Sequence, residues 1–238
     1  MRNLLFIPTY NCEKQIIRIL NQLTPEISIH FEEIIIFDNR SNDGTVEVAQ
    51  EMIKKRSLPV EVRINSVNVN LGGTHKLAFA YGIEKGYDYC FILHGDDQAD
   101  IADFRIVLET KKYGTHDLIL GSRFSLNSER INYSKLRTIG NLFFNFLISL
   151  RYLKLIPDFG GSGLNGFSVK FLKDNIASHF DDYDNDLTFH TYLLMKALSL
   201  KADIIFVPIT WREFDQKSNV NLISQSKKLL KIISRAEV

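Results

Sequence analysis

The sequence predicts an α/β fold in which a mostly parallel central sheet is covered by helices on both faces. Residues 3–7, 33–38 and 89–93 are short, largely apolar runs, the pattern of strands buried on both sides. Segments of helical periodicity stand between them, at the rhythm of βαβ units. Each run gives way to polar or acidic residues, and in open α/β sheets ligands bind beyond the carboxyl ends of the strands.

In chain order, the first run closes at Pro8-Thr9-Tyr10-Asn11, where Pro8 disfavours the helical region for the residue before it. Glu13 to Leu23 sets Ile16, Ile17, Ile19, Leu20 and Leu23 on one broad helical face. The second strand, Glu33 to Asp38, ends in an acid, and Asn39 to Thr45 is dense in turn formers. A helix over Val46–Arg56, a strand over Val60–Asn65, a loop over Asn68–Thr74 containing Gly72-Gly73, and a helix over His75–Lys85 follow. The strand Tyr89–Leu93 then leads into His94, Asp96, Asp97, Gln98 and Asp100.

The second half is less regular. It reads as a helix near Asp103–Tyr113, a strand Leu118–Leu120 ending in Gly121-Ser122-Arg123, and an amphipathic helix from Tyr133 to Leu150. A glycine-rich loop, Asp158–Gly163, precedes a strand at Ile204–Val207 and the segment Pro208 to Glu213. Residues 1–220 read as one domain, and 221–238 as an amphipathic helical tail with Lys227, Lys228, Lys231 and Arg235 on its basic side. Such a tail suits an anionic membrane surface or packing against the domain or a subunit partner. A homo-oligomer is compatible with the second case.

Composition narrows the function classes. A net charge of +1 lacks the strongly basic face expected of a nucleic-acid binder. Cys12 and Cys90 fit no disulfide framework or metal spacing, which points to a reducing cytoplasm. The apolar stretch at the N-terminus is too short for a signal peptide, and no window offers the ~18 apolar residues of a membrane span. The expectation is a cytoplasmic protein that touches the inner face of the membrane. Residues 8–13 contain no glycine, against a dinucleotide-binding turn, and no glycine-rich loop ends in the Lys-Ser or Lys-Thr of a P-loop.

The acidic cluster carries the chemistry. Neighbouring carboxylates repel, and an oxygen-rich site of this kind suits Mg²⁺ or Mn²⁺ shared with substrate phosphates. Asp96 is the leading metal ligand, and His94 is a second ligand or a structural histidine. Asp38 can accept hydrogen bonds from a ligand or cap its own turn; Asp43 has the alternative of capping a helix. Arg212 offers a planar fork for a phosphate, with a solvated arginine as the plainer alternative. Lys217 follows on a segment suited to close over a bound group.

The order of these motifs resembles that of family 2 glycosyltransferases. The residues concerned are Pro8 to Asn11 with Glu13, Asp38 to Thr45, Asn68 to Gly73, His94 to Gln98, Gly121 to Arg123, and Trp211 to Asn219. The last two are similar to the polyprenyl-phosphate, dolichyl-phosphate mannosyltransferase-like branch. The resemblance implies the GT-A fold, a Rossmann-like α/β sandwich, and an inverting transfer from a nucleotide-diphosphate sugar. It implies a base pocket lined by Pro8, Tyr10 and Glu13, with Asp38, Asp43 and Gly73 beside the nucleoside. Asp96 and His94 would hold the metal and Gln98 the donor sugar, with Arg123, Arg212 and Lys217 near phosphate. The implied acceptor is a polyprenyl phosphate, or a lipid-linked or polysaccharide hydroxyl in cell-surface polysaccharide synthesis. One departure stands out: the helix position where relatives carry an acid holds His190-Thr191-Tyr192, which leaves Asp186, with Asp184 beside it, as substitute base. Asp96, Asp186 and Arg212 are therefore the catalytic candidates. A nucleotidyltransferase of similar fold and a non-catalytic nucleotide-sugar-binding protein are the competing readings.

Overall fold

Hydrophobic side chains on alternate residues of the first strands enter two different cores, one on each side of a single sheet. The computed structural model describes residues 1–159, 162–216 and 222–234. The N-terminal half runs β1 (Asn3–Thr9), α1 (Glu13–Gln22), α2 (Pro25–Ser28), β2 (Glu33–Asp38), α3 (Thr45–Arg56), β3 (Val60–Ile64), α4 (Asn70–Lys85) and β4 (Tyr89–Leu93). There follow α5 (Arg105–Thr110), β5 (Leu118–Ser122), β6 (Glu129–Ile131), α6 (Lys135–Tyr152), β7 (Leu164–Ser168) and α7 (Val169–Asn175). The chain closes with α8 (Phe189–Ser199), β8 (Ile204–Pro208), β9 (Thr210–Arg212) and α9 (Leu222–Ser234).

The main sheet has seven strands in the order β3-β2-β1-β4-β7-β5-β8, and β6 pairs with β9 in a small second sheet. All pairs in the main sheet are parallel except those of β7, which is antiparallel to both β4 and β5. The mostly parallel sheet expected from the sequence is present. On β1, Leu4 and Phe6 face the core beneath α4, α6, α7, α8 and α9, while Leu5 and Ile7 face the core beneath α1, α3 and α5. Ile35 and Phe37 against Ile34 and Ile36 repeat the division on β2. With both faces covered, there is no solvent side to select polar residues.

One expectation requires correction. Gly72 and Gly73 do not lie in a loop: α4 begins at Asn70 and both glycines are in its first turns. A Cβ on Gly72 would stand 2.8 Å from the Asn185 carbonyl carbon and the Asp186 oxygen, so the glycine lets the segment before α8 lie directly on α4. Gly73 N–H donates to Asn185 O at 3.2 Å, so its backbone is committed to that packing. Of the placements open to the tail, its described part, α9, takes the one against the domain, through Leu229, Ile232 and Ile233. Arg151 donates to the Ile233 carbonyl, and Lys228 pairs with Asp186. No helix among the described residues is long and apolar enough to cross a membrane.

Candidate active site

The carboxyl ends of β1, β2 and β4 meet. Gly95 N–H donates to Pro8 O at 3.0 Å and Asn39 N–H to Thr9 O at 2.8 Å. Asn11 and the 41–42 turn exchange hydrogen bonds, with Asn11 N–H donating to Ser41 Oγ and Asn42 N–H to Asn11 Oδ1, each at 2.9 Å. Pro8 is buried, whereas Tyr10 and Glu13 stand exposed at the rim. Asp38 is fully buried. Its Oδ1 accepts from Thr9 Oγ1 at 3.2 Å and from the Ser41 hydroxyl, and its Oδ2 accepts from Ser41 N–H at 2.9 Å. In this arrangement Asp38 fastens the turn after β2. Asp43 accepts from Thr45 N–H at 3.0 Å and from Glu13 N–H at 3.2 Å, so it caps the start of α3 and ties α1 to it.

Adjacent carboxylates meet different fates after β4. Asp97 adopts a left-handed backbone (φ 58°), and its carboxylate is gripped from two sides. Arg18 Nε lies 2.5 Å from Oδ2, Arg212 Nη2 lies 3.0 Å from Oδ1, and Gln22 Nε2 donates to Oδ1 at 3.0 Å. Arg212 also holds Asp100 through Nη1 at 3.2 Å and the Asp97 carbonyl through Nε. Its fork is thus spent on the loop. Arg123 is similarly engaged, deep in the protein, by a bidentate pair with Asp158 at 2.7 and 2.8 Å.

Asp96 differs. Its carboxylate is half-buried, forms no salt bridge among the described residues, and accepts from Gln98 N–H at 3.3 Å. Burial, with the nearby Asp97 charge, pushes its carboxyl up to about 6. A carboxylate desolvated without a counter-charge is what a divalent cation would stabilise, and its hard oxygen donors fit Mg²⁺ or Mn²⁺. Gln98 donates to Glu213 at 3.3 Å, and Glu213 accepts from Arg137 at 2.8 Å, so the 96–98 loop is bound to β9 and α6. Gln216 Nε2 donates to Asp96 O, closing the same loop from the other side. Lys217 lies outside the described residues.

His94 turns away from Asp96. With His75 and His190 it forms the group of metal-competent side chains that the described residues bring together, and Asp96 is not part of it. Burial pushes the His94 imidazole down to about 3 and that of His190 to about 4, while His75, repelled also by both neighbours, falls well below its usual range. Asp186 sits beside this group in sequence but is paired. Burial raises its carboxyl, yet Lys228 and the Thr188 hydroxyl and N–H outweigh burial and hold it below the ordinary carboxylate range. The sequence alone did not single out His75, Arg18 or Asp158. Each becomes visible only through a partner remote in sequence.

The glycosyl transferase family 2 model matches residues 5–175, the stretch that carries the β1, β2 and β4 loops. The chain belongs to this family. It is 26% identical over 221 residues to an undecaprenyl-phosphate mannosyltransferase of Micrococcus luteus, covering 90% of this chain and 84% of that one. It is 27% identical over 180 residues to a UDP-N-acetylglucosamine–dolichyl-phosphate N-acetylglucosaminyltransferase of Methanococcus voltae (71% and 70% covered). Among solved structures, glucosyl-3-phosphoglycerate synthase of Mycobacterium tuberculosis, in complex with Mn²⁺, UDP and glucosyl-3-phosphoglycerate, superposes with a TM-score of 0.69 at 15% identity, over 96% of this chain and 77% of that one. S. aureus TarS superposes with a TM-score of 0.63 at 17% identity over 98% of this chain, which spans 64% of the TarS chain. The fold is GT-A, and this family 2 member is a glycosyltransferase.

Proposed function

We propose that this family 2 glycosyltransferase is inverting and divalent-metal-dependent, and that it moves a sugar from a nucleotide-diphosphate donor to a polyprenyl phosphate in cell-surface polysaccharide synthesis. The observation that carries the reading is the contrast on one loop: among the described residues, two arginines pair with Asp97 and no cation pairs with Asp96. Mg²⁺ or Mn²⁺ held by Asp96 would supply Lewis-acid stabilisation of the diphosphate leaving group. The chain's own part is positioning. Pro8, Tyr10 and Glu13 line the nucleoside side, with the turn fixed by Asp38 and Asp43 as its floor. Gln98 stands at the donor sugar, and Lys217 is assigned to the diphosphate.

The acceptor assignment rests on what the protein does not need. A hydroxyl acceptor must lose a proton during attack and calls for a placed base. Asp186 is paired with Lys228, and His190 is buried among other imidazoles. A phosphate acceptor is already largely ionised at neutral pH. The outer face of α6 adds support: Leu136, Ile139, Phe143, Phe146, Leu150 and, just past its end, Leu153 are exposed at helical spacing. That stripe, with Lys227 and Lys231 of α9, suits an isoprenoid chain or the membrane that carries it.

The test is a donor panel of UDP-, GDP- and CDP-sugars with a short polyprenyl phosphate, with Mn²⁺, Mg²⁺ or chelator. The expected product is a polyprenyl-phosphate sugar of inverted anomeric configuration, formed only with metal. Transfer to a lipid-linked glycan hydroxyl and never to the phosphate would overturn the acceptor assignment. Full turnover in chelator would overturn the metal dependence.

A further inference from the structure

Three of the six histidines of the chain meet in the interior, brought there by three separate elements. His75 comes from α4, His94 from the end of β4, and His190 from the first turn of α8. All three are buried, and their ligand atoms lie within 4.8 Å of one another. His75 Nε2 is 3.4 Å from His94 Nε2 and 3.3 Å from His190 Nε2. Phe6, Phe79 and Phe189 surround His75, so no water-like environment offsets the burial.

The protonation pattern at His75 can be read from its partners. Its Nδ1 lies 2.7 Å from the Leu71 carbonyl oxygen, which can only accept. Nδ1 therefore carries the proton, and a neutral ring leaves Nε2 with a single in-plane lone pair. Two other Nε2 atoms crowd that one lone pair. One N–H could be received there, but two cannot, so hydrogen bonding alone leaves one of these buried close contacts uncompensated.

A metal ion removes the conflict, because all three lone pairs then point at one centre. Zinc–imidazole bonds of 2.0–2.1 Å at tetrahedral angles put ligand nitrogens about 3.3 Å apart, close to the spacing at His75. The Nδ1–H···O=C bond to Leu71 is the outer contact that usually fixes the tautomer of a ligating histidine. The surroundings hold this geometry. His94 N–H donates to Gly163 O at 2.8 Å, and Gly163 has φ 68° with its Cα against the His94 ring. The close approach at Gly72 brings α8, and His190 with it, onto α4.

We propose that His75, His94 and His190 form a transition-metal site for a borderline divalent ion of the Zn²⁺ class, separate from the oxygen-donor site at Asp96. Three neutral imidazoles suit Zn²⁺, Co²⁺ or Ni²⁺ and suit Mg²⁺ poorly. The ion ties α4, β4 and α8 together two residues before Asp96. It is therefore a positioning element for the 95–98 loop.

The experiment uses the untagged full chain. Elemental analysis after purification without chelator is expected to find about one Zn²⁺ per chain. After stripping, Co²⁺ should restore a visible d–d band of tetrahedral type, and Zn²⁺ should raise the melting temperature. His190→Asn and His94→Asn should each lower Zn²⁺ affinity by at least about 100-fold, beyond the loss typical of an outer contact. Asp96→Asn should bind Zn²⁺ as the wild type does. Folded wild-type chain with neither bound Zn²⁺, a Co²⁺ band nor a thermal shift would overturn the proposal, and the three rings would then be a metal-free hydrogen-bonded chain. Loss of Zn²⁺ in Asp96→Asn, with retention in both histidine variants, would overturn it equally. The wild-type titration stands whether or not a variant folds.

Discussion

Arg212 Nη2 lies 3.0 Å from Asp97 Oδ1, and this pair decides what the acidic loop can do. Because Arg212 and Arg18 neutralise Asp97 and brace a left-handed turn, the neighbouring Asp96 is held in place with no paired cation among the described residues.

Arg212→Ala should therefore lower stability before it touches catalysis. Removing one partner of a buried ion pair costs about 3–5 kcal/mol, and the Arg18 contact that remains reduces the expected loss to about 2–3 kcal/mol. Urea denaturation at pH 7.5 measures it. If the variant is as stable as the wild type and only its acceptor KM rises, Arg212 binds substrate phosphate and the bracing role is wrong.

Asp96→Asn should lose at least about 100-fold in turnover, as expected when a group acting on transition-state charge is removed, while the protein becomes more stable at high pH. The sign follows from a folded-state carboxyl at about 6 against an ordinary value of 3.8. The folded protein favours the neutral form, so the Asp96 contribution to wild-type stability is lost as pH rises from about 4 through about 6. Two pKa units correspond to about 3 kcal/mol at most, and partial exposure reduces the expected gain to roughly 1–2 kcal/mol at pH 8. Thermal melts of both proteins in chelator should diverge from pH 4 to pH 8. Parallel curves would show that Asp96 is not desolvated.

Acid should unfold the metal-free protein through its histidines. Imidazoles pushed down to about 3 and about 4 in the fold titrate near 6.5 once unfolded, so the unfolded chain takes up more protons. The histidines' contribution to stability is level above about pH 7 and falls as pH drops through 6.5 toward 4, opposite in sign to that of Asp96. His190→Asn should flatten that slope in denaturant titrations with chelator present. An unchanged slope between pH 7 and 5 would show that His190 takes up its proton as readily in the folded chain as in the unfolded one.

Phe143→Glu combined with Phe146→Glu should leave the melting temperature within about 2–4 °C, since both side chains are more than half exposed and Phe143 meets the core through an edge-on contact with Phe144. Binding to anionic liposomes and turnover on a long-chain polyprenyl phosphate should both drop, with turnover on a short water-soluble analogue retained. Equal liposome binding by variant and wild type would remove α6 from the lipid-facing role.

Gly72→Ala should destabilise by about 1–3 kcal/mol, as overpacking does. The added methyl meets backbone of residues 185 and 186, which cannot yield as a flexible side chain would. Denaturation that matches the wild type would place α8 farther from α4 than the 2.8 Å contacts require.

The strands β1, β2 and β4 were legible because Leu4 to Ile7, Ile34 to Phe37 and Cys90 to Leu93 are apolar on both faces, a pattern with few other uses. β7 was not. Its centre is Asn165-Gly166, and Asn165 is a buried amide whose Oδ1 accepts from the Gly121 N–H at 3.2 Å and the Ser162 hydroxyl at 3.3 Å, while its Nδ2 meets no partner among the described residues. Gly166 leaves room for the Phe91 ring, a packing reason that no local pattern expresses. The acidic loop was legible as a cluster, but the difference between Asp96 and Asp97 was not, since it depends on Arg18 and Arg212 from distant elements. The histidine group was hidden for the same reason. Positions 75, 94 and 190 share no spacing; the glycine contact between α4 and the segment before α8 brings His190 to His75, and β4 delivers His94 to both.

The antiparallel strand β7 also sets an order of events during folding. β3, β2, β1 and β4 are a continuous run of chain whose mutual pairings are the shorter-range ones, so they can associate early. β5 and β8 can join that half only through β7, which must first return from beyond α6 to lie against β4. The Asp96 loop leaves β4 early, but its braces from β9 arrive with the second half. A ribosome-bound chain ending before residue 164 would thus hold a nucleotide-side half-sheet with Asp97 still lacking Arg212, and catalytic competence would wait for the last third of the chain.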